Sequence, residues 1–386
     1  MMGWTQQHDD FRDEIRTWFA ANSPERPIPP IYTEEGLAGL REWERRLTEG
    51  GYAAVSWPKE YGGMGADRWT QVIFDEEYFT AGLPQRLNRM GLSLAGPTIM
   101  ACGTQEQKEK WIPGILSCEE IWCQGFSEPG AGSDLASLST RGTVDGDELV
   151  ISGTKVWTSM GPVATRMFAL VRTDLEAPKH RGITWVVLDM DSPGISVSPL
   201  VQLHGERGFA EVMFDDVRVP LANVVGGLNN GWQVAMTTLG VERGTGEGRH
   251  ARLSKSLDTM ASMIRDSGAN ARNVERLGRT AAWSYAFEKS VHYIVGGMIA
   301  EKDVSAETSV MKLVWSELDH QLHEEILSVL GTEAEVVRTQ GQHGELQGWQ
   351  RDYWHSRASK IFAGTNQIQR NIIAERVLGL PKESRA

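Results

Sequence analysis

Three short stretches carry residue types and spacings suited to holding a large, flat, phosphate-bearing ligand. The first is Cys123-Gln124-Gly125-Phe126-Ser127-Glu128-Pro129-Gly130-Ala131-Gly132-Ser133-Asp134. Its glycines and proline keep backbone N–H groups exposed in a tight loop, and Ser127 and Ser133 add hydroxyls. Such a loop can hydrogen-bond a flavin ring edge or a pyrophosphate. Alone it reads equally as a Gly-rich turn between two elements. The second is Gly153-Thr154-Lys155-Val156-Trp157-Thr158-Ser159, where an indole beside hydroxyls can pack on a flavin ring and bond its N5 edge. Alone, Trp157 reads as a core tryptophan. The third is Ala363-Gly364-Thr365-Asn366-Gln367-Ile368-Gln369-Arg370, with Thr365 as N-cap of a helix that is otherwise an ordinary surface element.

The chain around these stretches falls into three blocks. Phe11, Ile15, Trp18 and Phe19 draw one apolar helical stripe, and the segments 37–47 and 69–79 repeat the pattern. Between them, Ser56-Trp57-Pro58-Lys59-Glu60-Tyr61-Gly62-Gly63 reads as a turn. From about residue 122 to 219 short β-branched runs take over, at 149–152, 167–171, 184–188 and 212–214, with Asp145-Gly146 as a hairpin turn. After Gly226-Gly227 the helical period returns at Trp232, Ala235, Met236 and Leu239, then at Val310, Leu313, Val314, Leu318 and Leu322. The expected architecture is α+β and multidomain: an N-terminal helical domain (1–120), a middle antiparallel β domain (121–228) and a C-terminal helical bundle (229–386).

A chain of 386 residues exceeds what one core holds, which also points to several domains. The net charge of −12 repels nucleic acid and anionic lipid, so an anionic ligand needs a local positive patch. No apolar run is long enough to span a bilayer, and the acidic start lacks a signal-peptide core, so the expected place is the cytoplasm. Cys102, Cys118 and Cys123 form neither a disulfide framework nor a metal-ligand pattern, and no metal site is expected. There is no Gly-x-Gly-x-x-Gly after a strand, so a dinucleotide would bind in some way other than the Rossmann one.

In this order and separation the three stretches resemble the acyl-CoA dehydrogenase family, and the resemblance runs from residues 56–63 to Glu375-Arg376-Val377-Leu378-Gly379-Leu380-Pro381. It implies a four-helix bundle at the C-terminal end and FAD lying between that bundle and the β domain. Cys123, Phe126, Ser127, Gly132, Ser133, Trp157, Ser159, Gly364, Thr365 and Gln367 match cofactor positions of the family, and Ser133 and Arg243 match substrate positions. The implied reaction takes a saturated acyl-CoA thioester to the trans-2-enoyl-CoA: a carboxylate removes the α-proton and FAD N5 accepts the β-hydride. An electron-transfer flavoprotein is the implied electron acceptor.

In much of the family the base is a glutamate immediately before the Gly-Thr of the terminal stretch. Ala363 stands there in this chain and takes no proton. A branch resembling the isovaleryl-CoA and long-chain enzymes instead carries the glutamate before an arginine on the first bundle helix, which here is Glu242-Arg243. Glu242 would otherwise read as a solvated helix residue. Gly244, Gly246 and Gly248 follow on the expected helix, and their missing side chains suggest room for a bulky or branched acyl group, with a local helix distortion as the rival reading. The Arg-x-x-Phe-Gly with which family members reach a neighbouring subunit's FAD pyrophosphate is absent from residues 244–297. The segment 264–275 reads as a polar loop with Arg265 and Arg272 as unmatched candidates. A homotetramer, or a heterotetramer with a second dehydrogenase chain, follows as the expected assembly. Two other functions stay open: a partner subunit that completes a sister chain's site without doing chemistry, and a flavin oxidase or monooxygenase on the same fold.

Overall fold

The computed structural model describes residues 3–242, 248–302, 304–337, 339–340, 345–346 and 348–381. The apolar stripes of the first block form α1 (Gln6–Asn22), α2 (Glu34–Glu49) and α3 (Arg68–Thr80), followed by the short α4 (Gly96–Cys102) and α5 (Gln105–Leu116). Thr33 starts α2 by accepting from Gly36 N at 3.0 Å, and Asp67 caps α3 through Thr70 N at 2.9 Å. Phe11, Ile15 and Phe19 of α1 pack with Ile73, Phe74 and Tyr78 of α3. Arg12 and Arg16 fasten the same pair of helices to Glu76 and Glu77, at 2.6 and 2.7 Å.

The middle block holds β1 (Trp122–Gly125), β2 (Arg141–Asp145), β3 (Glu148–Ser159), β4 (Arg166–Arg172), β5 (Ile183–Asp189), β6 (Ile195–Leu200), β7 (Phe209–Pro220) and β8 (Val224–Val225). The sheet runs β6-β7-β3-β2-β4-β5-β8, with β1 paired to β4. It is largely antiparallel, and the departures from expectation are at β4, to which β1 lies parallel over four residues and β2 at the single pair Arg141–Arg172. The β2–β3 hairpin also sits one residue further along than Asp145-Gly146 suggests. Asp145 pairs with Glu148, so Gly146 (φ +65°) and Asp147 form the turn. β4 is apolar on both faces because each face meets a core. Phe168 and Leu170 join Trp122, Trp185 and helical residues of the N-terminal block, while Met167, Ala169 and Val171 join Cys123, Val212 and Phe214.

The last block comprises α6 (Gly231–Glu242), α7 (Arg249–Asp266), α8 (Ala271–Ile299), α9 (Ser305–Leu330), the two-residue β9 (Thr339–Gln340) and β10 (Glu345–Leu346), α10 (Gly348–Ser359) and α11 (Asn366–Ile372). Leu253, Met260, Phe287, Val291, Leu318 and Leu322 build the bundle core from α7, α8 and α9. Two expectations need correction. The stretch 264–275 is mostly helix: α7 runs to Asp266 and α8 starts at Ala271 on an Asn270 cap, so Arg265 and Arg272 sit at helix ends. α6 does not pack in the bundle core. Its Val234 and Ala235 lie with Trp185 and Val187 at the seam between the sheet and the N-terminal helices.

Candidate cofactor and active site

β1 delivers the chain into the loop at 126–134, and β3 runs beside it. The backbone N–H of Val156 donates to Ser127 O at 2.9 Å, so the first two sequence stretches are brought together. Glu128 and Ala131 exchange backbone hydrogen bonds at 3.0 and 3.1 Å and close a tight turn. Beyond it Gly132 and Ser133 are exposed, Ser127 is half-buried and Phe126 is buried. A Cβ added at Gly130 or Gly132 would meet nothing within 4 Å, so open space lies over this loop. Cys123 presents only its backbone to the loop, because its thiol is buried 3.8 Å from Met190 Sδ.

The β3 ladder is irregular between Lys155 and Thr158. Trp157 sits in that irregularity with φ 59° and is 61% exposed, its edge against Phe209 at 6.1 Å. A non-glycine residue in the left-handed region combined with an exposed indole costs free energy with little return from packing beyond the Phe209 edge, as strained functional positions do. The Oγ1 of Thr158 is buried without a partner. An open apolar plate, exposed loop glycines and neighbouring hydroxyls fit the edge and face of an isoalloxazine ring.

The third stretch is built on the bundle. Thr365 Oγ1 caps α11 by accepting from Ile368 N at 3.2 Å. Gly364 has φ +80°, Ala363 has φ 53°, and Gln367 is exposed. Gln369 Nε2 donates to Ala363 O and Gly364 O at 3.2 and 3.4 Å, which fixes the turn ahead of the cap. From α9, Lys312 Nζ and Ser316 Oγ donate to Asn366 Oδ1 at 3.0 and 2.8 Å. Lys312 is buried, and that burial, with the charge of Arg249, pulls its ammonium down to about 8.

Glu242 is the last residue of α6, and its side chain lies outside the described residues, as do Arg243, Gly244 and Gly246. The chain is described again at Gly248, which is no helix interior. It has φ +54° and precedes α7, and a Cβ there would meet Phe79 Cδ2 at 2.5 Å. Its missing side chain leaves room for α3 and none for an acyl group. Gly240 differs, because a Cβ there would meet nothing within 4 Å. Arg249 then lies over the Trp315 ring at 4.5 Å, and Trp315 packs on Phe362 at 5.9 Å. The start of α7 therefore lies beside the turn that carries Ala363.

Sequence reading missed Glu128, Lys155, Lys312 and Gln369 as supports of these turns. One signal was available for Lys155. The inward alternation Leu149, Ile151 reaches it two steps later, so a lysine falls on the buried side of a strand. A further group also escaped. Nε2 of His250 and of His292 approach Glu76 Oε1 at 2.8 and 3.4 Å, and the three residues could hold a metal ion. Arg12 already neutralises Glu76 at its other oxygen, and His250 Nδ1 lacks the acceptor that a metal-bound imidazole uses. The cluster is thus explained as a charge network that moors the start of α7 to α3.

The comparisons with known proteins identify the family. The chain matches the acyl-CoA dehydrogenase N-terminal domain over residues 5–119, the middle domain over 123–217 and the C-terminal domain over 229–378. It is 37% identical to acyl-CoA dehydrogenase IpdE1 of Mycobacterium tuberculosis, over 98% of this chain and 100% of that one. Among solved structures it is similar to the Tcur3481-Tcur3483 steroid ACAD, with TM-score 0.87 and 30% identity over 99% and 100% of the two chains. It is also similar to the ChsE4-ChsE5 complex from Mycobacterium tuberculosis, with TM-score 0.82 and 30% identity over 99% and 100%. The chain belongs to the acyl-CoA dehydrogenase family, and it is an acyl-CoA dehydrogenase, an oxidoreductase of a flavoprotein family. Among the described residues no helix is long and apolar enough to cross a membrane.

Proposed function

We propose that this chain desaturates a bulky, ring-bearing acyl-CoA thioester at its α,β bond, with Glu242 as the base and FAD as the cofactor. The observation that carries the reading is the ring chain from Arg249 through Trp315 to Phe362. It sets the start of α7, seven residues beyond Glu242 in sequence, beside the turn that carries Ala363, where a carboxylate is missing. FAD, when bound, supplies the hydride acceptor. Trp157 gives its ring system a plate, Ser127, Ser133 and Ser159 give it donors, and the capped turn at Gly364, Thr365 and Gln367 takes the far end of the dinucleotide. Ser133 and Arg243 orient the substrate. A carboxylate in a site shielded from water has a pKa raised toward the working pH and so can take a proton from a weak carbon acid. The substrate class is supported by the steroid named for the Tcur3481-Tcur3483 relative.

Glu242→Gln keeps shape but removes the proton acceptor. Substrate binding should persist while anaerobic flavin reduction slows by a factor on the order of 10²–10⁴. Ala363→Glu in the Glu242→Gln background should restore part of the rate if the two positions converge on one carbon. Reduction at the parent rate in Glu242→Gln would place the base elsewhere or on a partner.

The assembly we propose contains a second dehydrogenase chain, with an electron-transfer flavoprotein as acceptor. The absent Arg-x-x-Phe-Gly supports it, as do two relatives whose names join two gene products. Native mass spectrometry should show partial flavin loading for the chain alone and full loading with its sister. Four tightly held FAD per homotetramer would rule out shared sites.

A further inference from the structure

We infer that the buried pair Lys155–Glu128 is a positioning element for the cofactor loop: Lys155 fixes and polarises the Phe126–Ser127 peptide, so that the Ser127 N–H faces the ligand side as a strengthened donor. This rests on Ser127 being a cofactor contact, as proposed above.

Lys155 is 0% exposed and Glu128 5%. The ammonium donates to Glu128 Oε1 at 2.7 Å and to Phe126 O at 3.2 Å. The same carboxylate accepts from Ser139 N at 2.6 Å and Thr140 N at 2.9 Å, so the pair braces the loop, the approach to β2 and β3 at one point. Burial lowers the Lys155 ammonium to about 8, against the raising pull of Glu128. Burial raises Glu128, but the charge and hydrogen bond of Lys155 outweigh it and hold the carboxyl at about 2. Both groups are therefore charged at neutral pH. Stability alone does not explain them, because apolar residues of similar volume often serve as well as a buried ion pair.

The bond to Phe126 O supplies the explanation. The C=O of Phe126 and the N–H of Ser127 belong to one amide, and an ammonium on the oxygen draws electron density from the nitrogen and strengthens its N–H as a donor. Ser127 is pinned on its other side by Val156 N at 2.9 Å. Its own N–H makes no hydrogen bond to a described residue, although the residue is half-buried. A donor held in place, polarised and unspent suits an acceptor atom that gains negative charge when the ligand is reduced.

The test uses the assembly that carries FAD, with Lys155→Met, Glu128→Gln and the double variant, which removes both buried charges together. FAD dissociation constant, two-electron midpoint potential and melting temperature are measured. The double variant should melt cooperatively, bind FAD at least tenfold more weakly and lose about tenfold of its preference for reduced over oxidised flavin. That loss corresponds to a midpoint about 30 mV more negative. Glu128→Gln is the second reading, because without its counter-charge the buried amine sheds its proton and the potential should move the same way. A folded double variant, or Glu128→Gln, with the parent's affinity and potential overturns the inference alone. A parent protein that holds no FAD in any assembly overturns the proposed function, and the inference with it.

Discussion

Replacing Trp157 with glycine separates what this residue does for the fold from what it does for the ligand. The residue lies at φ 59°, a region that costs a non-glycine side chain on the order of 1–2 kcal/mol. Glycine removes that cost but adds about 0.5–1 kcal/mol of chain entropy. It also forfeits the edge contact to Phe209 at 6.1 Å, worth roughly 0.5–1.5 kcal/mol. The opposing effects nearly cancel, and an indole 61% exposed has little other packing to lose. Trp157→Gly should therefore leave the stability of the flavin-free protein within about 1 kcal/mol of the parent in a urea titration. Stacking of a flat heterocycle on an aromatic residue is worth about 1–3 kcal/mol, so FAD affinity should fall by roughly 5- to 150-fold when followed by fluorescence. A loss of several kcal/mol of apo stability with unchanged FAD affinity would show that the indole serves the fold and would refute the argument.

Gly248→Ala should cost about 2–3 kcal/mol, since it strains a left-handed position and drives a methyl into Phe79; a melting curve that matches the parent would contradict this packing. The pH dependence of stability should also be unusual. Lys155 and Lys312 are each pulled from 10.5 to about 8, so the unfolded chain binds more protons between those values and stability rises with pH from about 8. Burial raises the Cys118 thiol from 9.0 to about 12 and raises Cys123 as well, so from about pH 9 these thiols oppose the rise. Urea midpoints should climb from pH 8 to 9 and then level off, and a fall over that interval would contradict the assignment.

The three-block order was legible because each block writes its own period, 3.6 in Phe11, Ile15 and Phe19 and continuous apolar runs in β4 and β5. The parallel pairing of β1 was not, since four residues of strand carry no directional signal. The loop expected at 264–275 shrank because polar residues on a solvated helix face look like loop residues in sequence. The local structure of the candidate site was legible where its contacts are local, as in the glycine loop and the Thr365 cap. It was illegible where partners are distant: Glu128 meets Lys155, and Asn366 meets Lys312, only once the chain has folded. Trp157 reads as core from its type, and its exposure is a property of the irregular ladder around it.

The mooring of the first turn of α7 onto α3 bears on how such chains can be recombined. Gly248 fits against Phe79, and His250 and His292 share Glu76, which Arg12 of α1 also holds. The anchor just after the proposed base is therefore encoded in two places far apart in the gene. A crossover between sister genes near residue 120 would pair one parent's α3 with the other parent's α7, and would succeed only where both ends of this anchor travel together. The N-terminal block and the bundle thus form one unit of inheritance, although the β domain lies between them in the sequence.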